Sequence, residues 1–109
     1  MRSFLFVPAD SDRKLAKGSE SGADALILDL EDSVAAERKS GARDTALAYL
    51  KQYAVSRRQQ LVVRVNALDT GLTDADLDVV VAGHPDAILL PKAEGGAAVI
   101  HLEIGRAHV

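Results

Sequence analysis

The stretch Ala25-Leu26-Ile27-Leu28-Asp29-Leu30-Glu31-Asp32 is an unbroken apolar run that turns abruptly acidic. It does not alternate between polar and apolar residues, so neither face is built for water. Such a run suits a strand covered on both sides, as parallel sheets require. Three further short runs share this character, at residues 3–7, 61–65 and 87–90, each ending in a polar or proline residue. The segments between them read as helices. Asp10 or Ser11 is placed to cap a helix running towards Gly18 and Gly22. Ala42, Ala46, Leu47, Leu50, Tyr53 and Ala54 fall on one helical stripe, with Arg43, Asp44 and Lys51 off it. Thr73-Asp74-Ala75-Asp76 resembles a capping box with Asp in place of the usual Glu, and opens a helix through residues 79–82. Gly83-His84-Pro85-Asp86 then turns the chain into the fourth run. The order is β-α-β-α-β-α-β, followed by the start of a fourth helix over Ala97-Ala98-Val99-Ile100. The spacing allows right-handed crossovers, so the expected architecture is α/β with a parallel sheet.

Composition sets the outer bounds. The 109 residues carry 13 Lys+Arg against 16 Asp+Glu, a formal net charge of −3, with 48% hydrophobic residues and no Cys. That is a globular composition and room for one small domain. An acidic balance argues against a nucleic-acid surface, which shows a basic excess. The absence of Cys excludes disulfides and thiolate metal sites. The apolar run after Met1-Arg2-Ser3 is too short for a signal-peptide core, and no later run approaches a membrane span. A cytoplasmic protein without membrane or nucleic-acid partners is expected.

In α/β sheets, ligands bind beyond the carboxyl ends of the strands. The polar residues gather there: Pro8, Ala9 and Asp10 after the first run, Asp29, Glu31 and Asp32 at the second, Arg64 and Asn66 at the third, and Pro91 and Lys92 at the fourth. Alternation would put Asp29 and Glu31 on one face. Three carboxylates in four residues repel unless a cation or a basic side chain offsets them. Hard oxygen ligands of this kind suit Mg²⁺, and the bland alternative is that Asp32 caps a helix while Glu31 pairs with Arg64. Arg64 lies in an otherwise apolar run and must find an anion, from a ligand or from the protein, with its fork favouring a bidentate carboxylate or phosphate. Asn66, two residues on, is expected to share its face and to orient the Arg or a ligand oxygen. The three histidines lack the spacing of a metal site, and Tyr49 and Tyr53 read as packing residues.

Together these residues resemble the citrate lyase β-subunit group of the HpcH/HpaI aldolase superfamily. The matching stretches are Arg2-Ser3-Phe4-Leu5-Phe6-Val7-Pro8, Leu28-Asp29-Leu30-Glu31-Asp32-Ser33-Val34, Val63-Arg64-Val65-Asn66 and Leu90-Pro91-Lys92. Ala9, where Gly is usual, and Glu94-Gly95-Gly96, where Glu-Ser is usual, depart mildly from the pattern. The resemblance implies a (β/α)₈ barrel and a Mg²⁺-dependent CoA-ester lyase. The chemistry would be reversible C–C cleavage of a 3-hydroxyacyl-CoA of the citryl- or malyl-CoA type, with thioester hydrolysis in some relatives. Arg64 would bind the substrate's carboxylate or carbonyl oxygens, with Asn66, Pro8 and Lys92 nearby. Glu31 and Asp32 would sit near the Mg²⁺ and order its water ligands. The direct ligands, a Glu and an Asp, would lie on later strands.

A barrel of this kind needs roughly 250 residues. This sequence is therefore expected to be the N-terminal half of one, four βα units within residues 1–102, and inactive alone. Residues 103–109 read as a non-native, adapter-derived tail. The full-length parent would be a homo-oligomer, trimer or hexamer, acting on acyl-CoA. Half a barrel would expose sheet edges at its first and fourth strands and leave Val7, Leu28 and Val65 or their neighbours wet, inviting self-association. Three other readings fit parts of the pattern. A class II pyruvate-type aldolase of the same superfamily would also use a divalent metal, and a lyase subunit of a carrier complex would work only beside other chains. A non-catalytic receiver-like module would carry its acidic pair after the first strand, which is absent here.

Overall fold

The computed structural model describes residues 3–31, 33–53, 59–92 and 96–101. Each apolar run forms a strand, giving β1 (Phe4–Pro8), β2 (Ala25–Asp29), β3 (Gln60–Arg64) and β4 (Ala87–Pro91). Between them lie α1 (Asp12–Ser19), α2 (Lys39–Gln52) and α3 (Thr73–Ala82). The four strands are parallel and stand side by side in chain order. With right-handed crossovers in that order, every connecting helix falls on the same side of the sheet.

The register makes the two faces explicit. Val7, Leu28, Val63 and Ile88 stand abreast and point towards the helices, where all four are buried. Leu15 of α1, Ala42, Ala46, Tyr49 and Leu50 of α2, and Val80 of α3 close over them. The other face carries the rows Phe6, Ile27, Val62, Ala87 and Pro8, Asp29, Arg64, Leu89. Phe4 is 62% exposed there and Phe6 48%. The exposed aromatic side chains thus belong to the alternate set, in which Ile27 and Ala87 are nonetheless buried, and Val7, Leu28 and Val65 are sealed under the helices. A one-residue error of parity exchanges the two faces, because side chains alternate along a strand.

Ser11 caps α1, its hydroxyl accepting the Lys14 N–H at 3.2 Å. Gly18 lets that helix press onto the sheet: a Cβ there would lie 2.8 Å from Leu26 Cδ1. Tyr49 and Tyr53 stack at 4.5 Å between ring centroids on and beside the α2 stripe. The expected capping box does not form. Thr73 is the first residue of α3, its hydroxyl donates to the Asn66 carbonyl at 2.8 Å, and the Asp76 carboxylate is engaged elsewhere.

The expected fourth helix is instead β5 (Ala97–His101), antiparallel to β4. Gly96, at φ 76°, reverses the chain, and the Lys92 N–H donates to the Gly96 carbonyl at 3.1 Å. Four apolar residues are too few to sustain a helix without a packing partner. The outer edge of β4 offers unpaired backbone groups, and β-branched Val99 and Ile100 suit pairing there. So the fourth strand's edge is covered rather than open. Asp32, Ala54, Arg57, Arg58 and residues 103–109 lie outside the described residues. Among those described, no helix is long and apolar enough to cross a membrane.

Candidate functional site

The carboxyl ends of the strands are level. The Ala9 N–H donates to the Asp29 carbonyl at 2.9 Å, the Leu30 N–H to the Arg64 carbonyl at 2.9 Å, and the Val65 N–H to the Leu89 carbonyl at 3.1 Å. This places Pro8, Asp29, Arg64 and Leu89 in one row on the face without helices.

Within that row Arg64 and Asp29 form a bidentate pair. Nε donates to Oδ1 at 2.9 Å and Nη2 to Oδ2 at 2.7 Å. The Asp29 side chain is 2% exposed and that of Arg64 22%. Three more donors converge on the same carboxylate: the Glu31 N–H on Oδ1 at 2.8 Å, and the Ser33 N–H and hydroxyl on Oδ2 at 3.2 and 2.7 Å. Burial alone would raise the Asp29 carboxyl. The hydrogen bonds from Arg64, Ser33 and the Glu31 N–H, with the Arg64 charge, outweigh it and hold the group below the ordinary carboxylate value. Glu31 adds a second carboxylate, with Oε1 3.4 Å from Arg64 Nε. Arg64 Cζ lies over the Phe6 ring, 4.8 Å from its centroid, within cation–π range.

Sequence reasoning left Arg64 between a ligand and a Glu31 bridge. The structure gives it Asp29 first and Glu31 second. Asp29 was visible only as one of three clustered carboxylates, and its role depends on register, since it is the residue directly across from Arg64.

Asn66 does not share the face of Arg64. β3 ends at Arg64, so alternation stops before residue 66. The Asn66 amide turns to the helix side, donating from Nδ2 to Asp76 Oδ2 at 2.8 Å and to the Leu30 carbonyl at 3.1 Å. Its Oδ1 accepts Lys39 Nζ at 2.8 Å, and its backbone N–H donates to Asp76 Oδ2 at 2.8 Å. Arg43 Nε completes this second cluster with a 2.7 Å bond to Asp76 Oδ1. Lys39, Arg43 and Asp76 were all missed. A signal existed for Asp76, an acid that α3 buries beside Leu77 and Val80. Pro8 closes β1 beside Asp29, and Lys92 is exposed just beyond β4. Asp32 lies outside the described residues.

The fit of Mg²⁺ can be tested on the donors. Five hydrogen bonds already saturate the two Asp29 oxygens. Among the described residues no cluster of three or more His, Cys, Asp or Glu side chains is arranged to hold a metal ion. These residues therefore do not fit Mg²⁺ as a set of direct ligands.

The family model described as HpcH/HpaI aldolase/citrate lyase matches residues 2–105. The chain is 40% identical over 96 residues to a (3S)-malyl-CoA thioesterase of Cereibacter sphaeroides, covering 88% of this chain and 33% of that protein. It is 40% identical over 102 residues to citrate lyase subunit beta of Escherichia coli K12, covering 94% and 33%. The crystal structure of CitE from Mycobacterium tuberculosis with magnesium and acetate superposes with a TM-score of 0.68 at 34% identity, over 81% of this chain and 34% of that one. The same protein is also known with magnesium, acetoacetate and coenzyme A, at a TM-score of 0.65, 34% identity, and 81% and 31% coverage. The chain thus spans about a third of the length of the relatives it matches.

Proposed function

The chain belongs to the HpcH/HpaI aldolase/citrate lyase family, and on that premise we propose that it supplies the N-terminal share of a CoA-ester lyase site. The reaction is reversible C–C cleavage of a 3-hydroxyacyl-CoA of the citryl- or malyl-CoA type, with thioester hydrolysis as a second activity. The observation that carries this reading is the Arg64–Asp29 pair. A guanidinium is locked in one orientation at the carboxyl ends of parallel strands, on the face that the described helices leave uncovered.

Arg64 holds the carboxylate or carbonyl oxygens of the substrate. Asp29 and Phe6 restrain the guanidinium, so little reorganisation is left for the moment of reaction. When the C–C bond breaks, the hydroxyl proton leaves to a base, the hydroxyl carbon becomes a carbonyl and the electron pair passes to the thioester enolate. The base comes from elsewhere in the enzyme. Glu31 flanks Arg64 as a second carboxylate, Oε1 3.4 Å from Nε. Pro8 and Lys92 border the same edge, and Asn66 braces it from behind. Magnesium is present in structures of relatives. In this reading Mg²⁺ serves the whole enzyme, with Glu31 and Asp32 near it through water and its direct ligands outside these residues. The parent is a cytoplasmic homo-oligomer, trimer or hexamer, and the 109 residues alone are inactive.

The test is to supply the intact enzyme carrying this segment with citryl-CoA and (3S)-malyl-CoA and to follow release of the keto acid. Cleavage of either thioester is the expected result. Cleavage only of CoA-free hydroxy acids would favour the pyruvate-type aldolase reading, and no cleavage of any would end the lyase proposal.

A further inference from the structure

We propose that Lys39 is a positioning residue for Glu31, and through it for the charged cluster around Arg64. Lys39 opens α2, and its ammonium reaches back to the exit of β2. Nζ donates to the Leu30 carbonyl at 2.9 Å, to the Glu31 carbonyl at 2.8 Å and to Asn66 Oδ1 at 2.8 Å. An ammonium has three N–H groups and no acceptor, so all three are engaged here, each with a neutral oxygen. The same stretch is held by two further bonds. Asp29 Oδ1 accepts the Glu31 N–H at 2.8 Å, and Asn66 Nδ2 also donates to the Leu30 carbonyl at 3.1 Å.

Both backbone polar groups of Glu31 thus have fixed partners, which sets the direction of its Cα–Cβ bond. That direction brings Oε1 to 3.4 Å from Arg64 Nε. Asp29, Glu31 and Asp32 are three carboxylates in four residues, a sequence that repulsion would otherwise splay. A cation bound to the backbone between them holds the turn against that repulsion. None of these three Lys39 hydrogen bonds goes to Arg64. The consequence of Lys39 for turnover rests on the lyase reading above, whereas its hold on the turn does not.

Amide hydrogen exchange on the intact enzyme carrying this segment separates the two. Lys39→Met keeps the length of the side chain and removes its donors. The Glu31, Ser33 and Val34 amides should then exchange at least about tenfold faster, the factor that follows from losing one hydrogen bond to a charged group. The Leu28 and Val63 amides, in the same sheet, should keep their rates. Uniform acceleration or loss of the fold would make Lys39 merely structural and overturn the proposal, as would unchanged rates at Glu31 and Ser33. Lys39→Arg is the second variant. A planar fork does not converge on three oxygens around one point, so the local loosening should persist. Full restoration by Arg would overturn the three-point geometry. In the intact enzyme, Lys39→Met should lower kcat more than it changes KM. Loss of activity in Arg64→Ala with none in Lys39→Met would remove the catalytic consequence and leave the lyase reading standing.

Discussion

The two faces of this sheet end in two charged clusters built from the same strands. On the helix side, Asp76 is fully buried and receives Arg43, the Asn66 amide and the Asn66 N–H, while Lys39 and Thr73 tie Asn66 into the surrounding backbone. On the open side, Asp29 receives Arg64, Ser33 and the Glu31 N–H, and on the same face Phe6 and Phe4 are exposed. Both clusters match a buried acid with an arginine. In the first, the partners are enclosed by α2 and α3. In the second, the arginine stands at the boundary of a surface that no described helix covers. The contrast sets a cluster enclosed by helices against one that borders the proposed site.

The largest effect should come from breaking the closed cluster. Asp76→Ala leaves Arg43 and the Asn66 amide without their acceptor, and removing one partner of a buried pair costs about 3 kcal/mol or more. Urea denaturation should show this as a lower midpoint at unchanged slope. A loss under about 1 kcal/mol would mean that the helix side is not what holds these strand ends.

Next is the packing that lets the helices close over their face. Gly18→Ala places a methyl against Leu26 and should cost about 1–2 kcal/mol of overpacking, reduced by the better helix propensity of Ala. Thermal melting reads the balance, and a stabilised variant would show that the helix is free to lift.

The open cluster should show itself in acid. Because the Asp29 carboxyl is held below its ordinary value in the folded state, its contribution is complete above the unfolded carboxylate range near about pH 4. It is lost as pH falls through the lowered folded value. Wild-type stability should therefore drop on acidification below about pH 4, and Asp29→Asn should be less stable at neutral pH but lack that part of the slope. Parallel pH profiles for the two proteins would contradict the assignment.

The smallest effect concerns Phe6. Phe6→Leu removes the ring over Arg64 and should cost about 0.5–1 kcal/mol. Sedimentation velocity should show less self-association once Phe4 is also replaced by Lys, since exposed apolar side chains on one face invite contact between copies. A wild-type chain that is monomeric at high concentration would break that part of the comparison.

Much of this was legible from local pattern. The four apolar runs became the strands, Ser11 caps the first helix, and an arginine inside Leu61-Val62-Val63-Arg64-Val65 pointed to the proposed site. What was not legible depends on register and termination. Asp29 becomes the partner of Arg64 only because β2 and β3 align at that row. Asn66 leaves the open face only because β3 stops at Arg64. Ala97-Ala98-Val99-Ile100 fits a helix or a strand equally well, and the free edge of β4 decides between them. That edge is a tertiary fact, absent from any window of sequence.

The most direct measurement compares kcat/KM for (3S)-malyl-CoA or citryl-CoA between wild type and Arg64→Ala in the intact enzyme, with melting curves showing both folded. The account predicts a loss of about 100-fold or more, the scale of removing an oriented donor from a developing oxyanion. Turnover within about threefold of wild type, a difference under about 1 kcal/mol, would show that the Arg64–Asp29 pair holds only the fold.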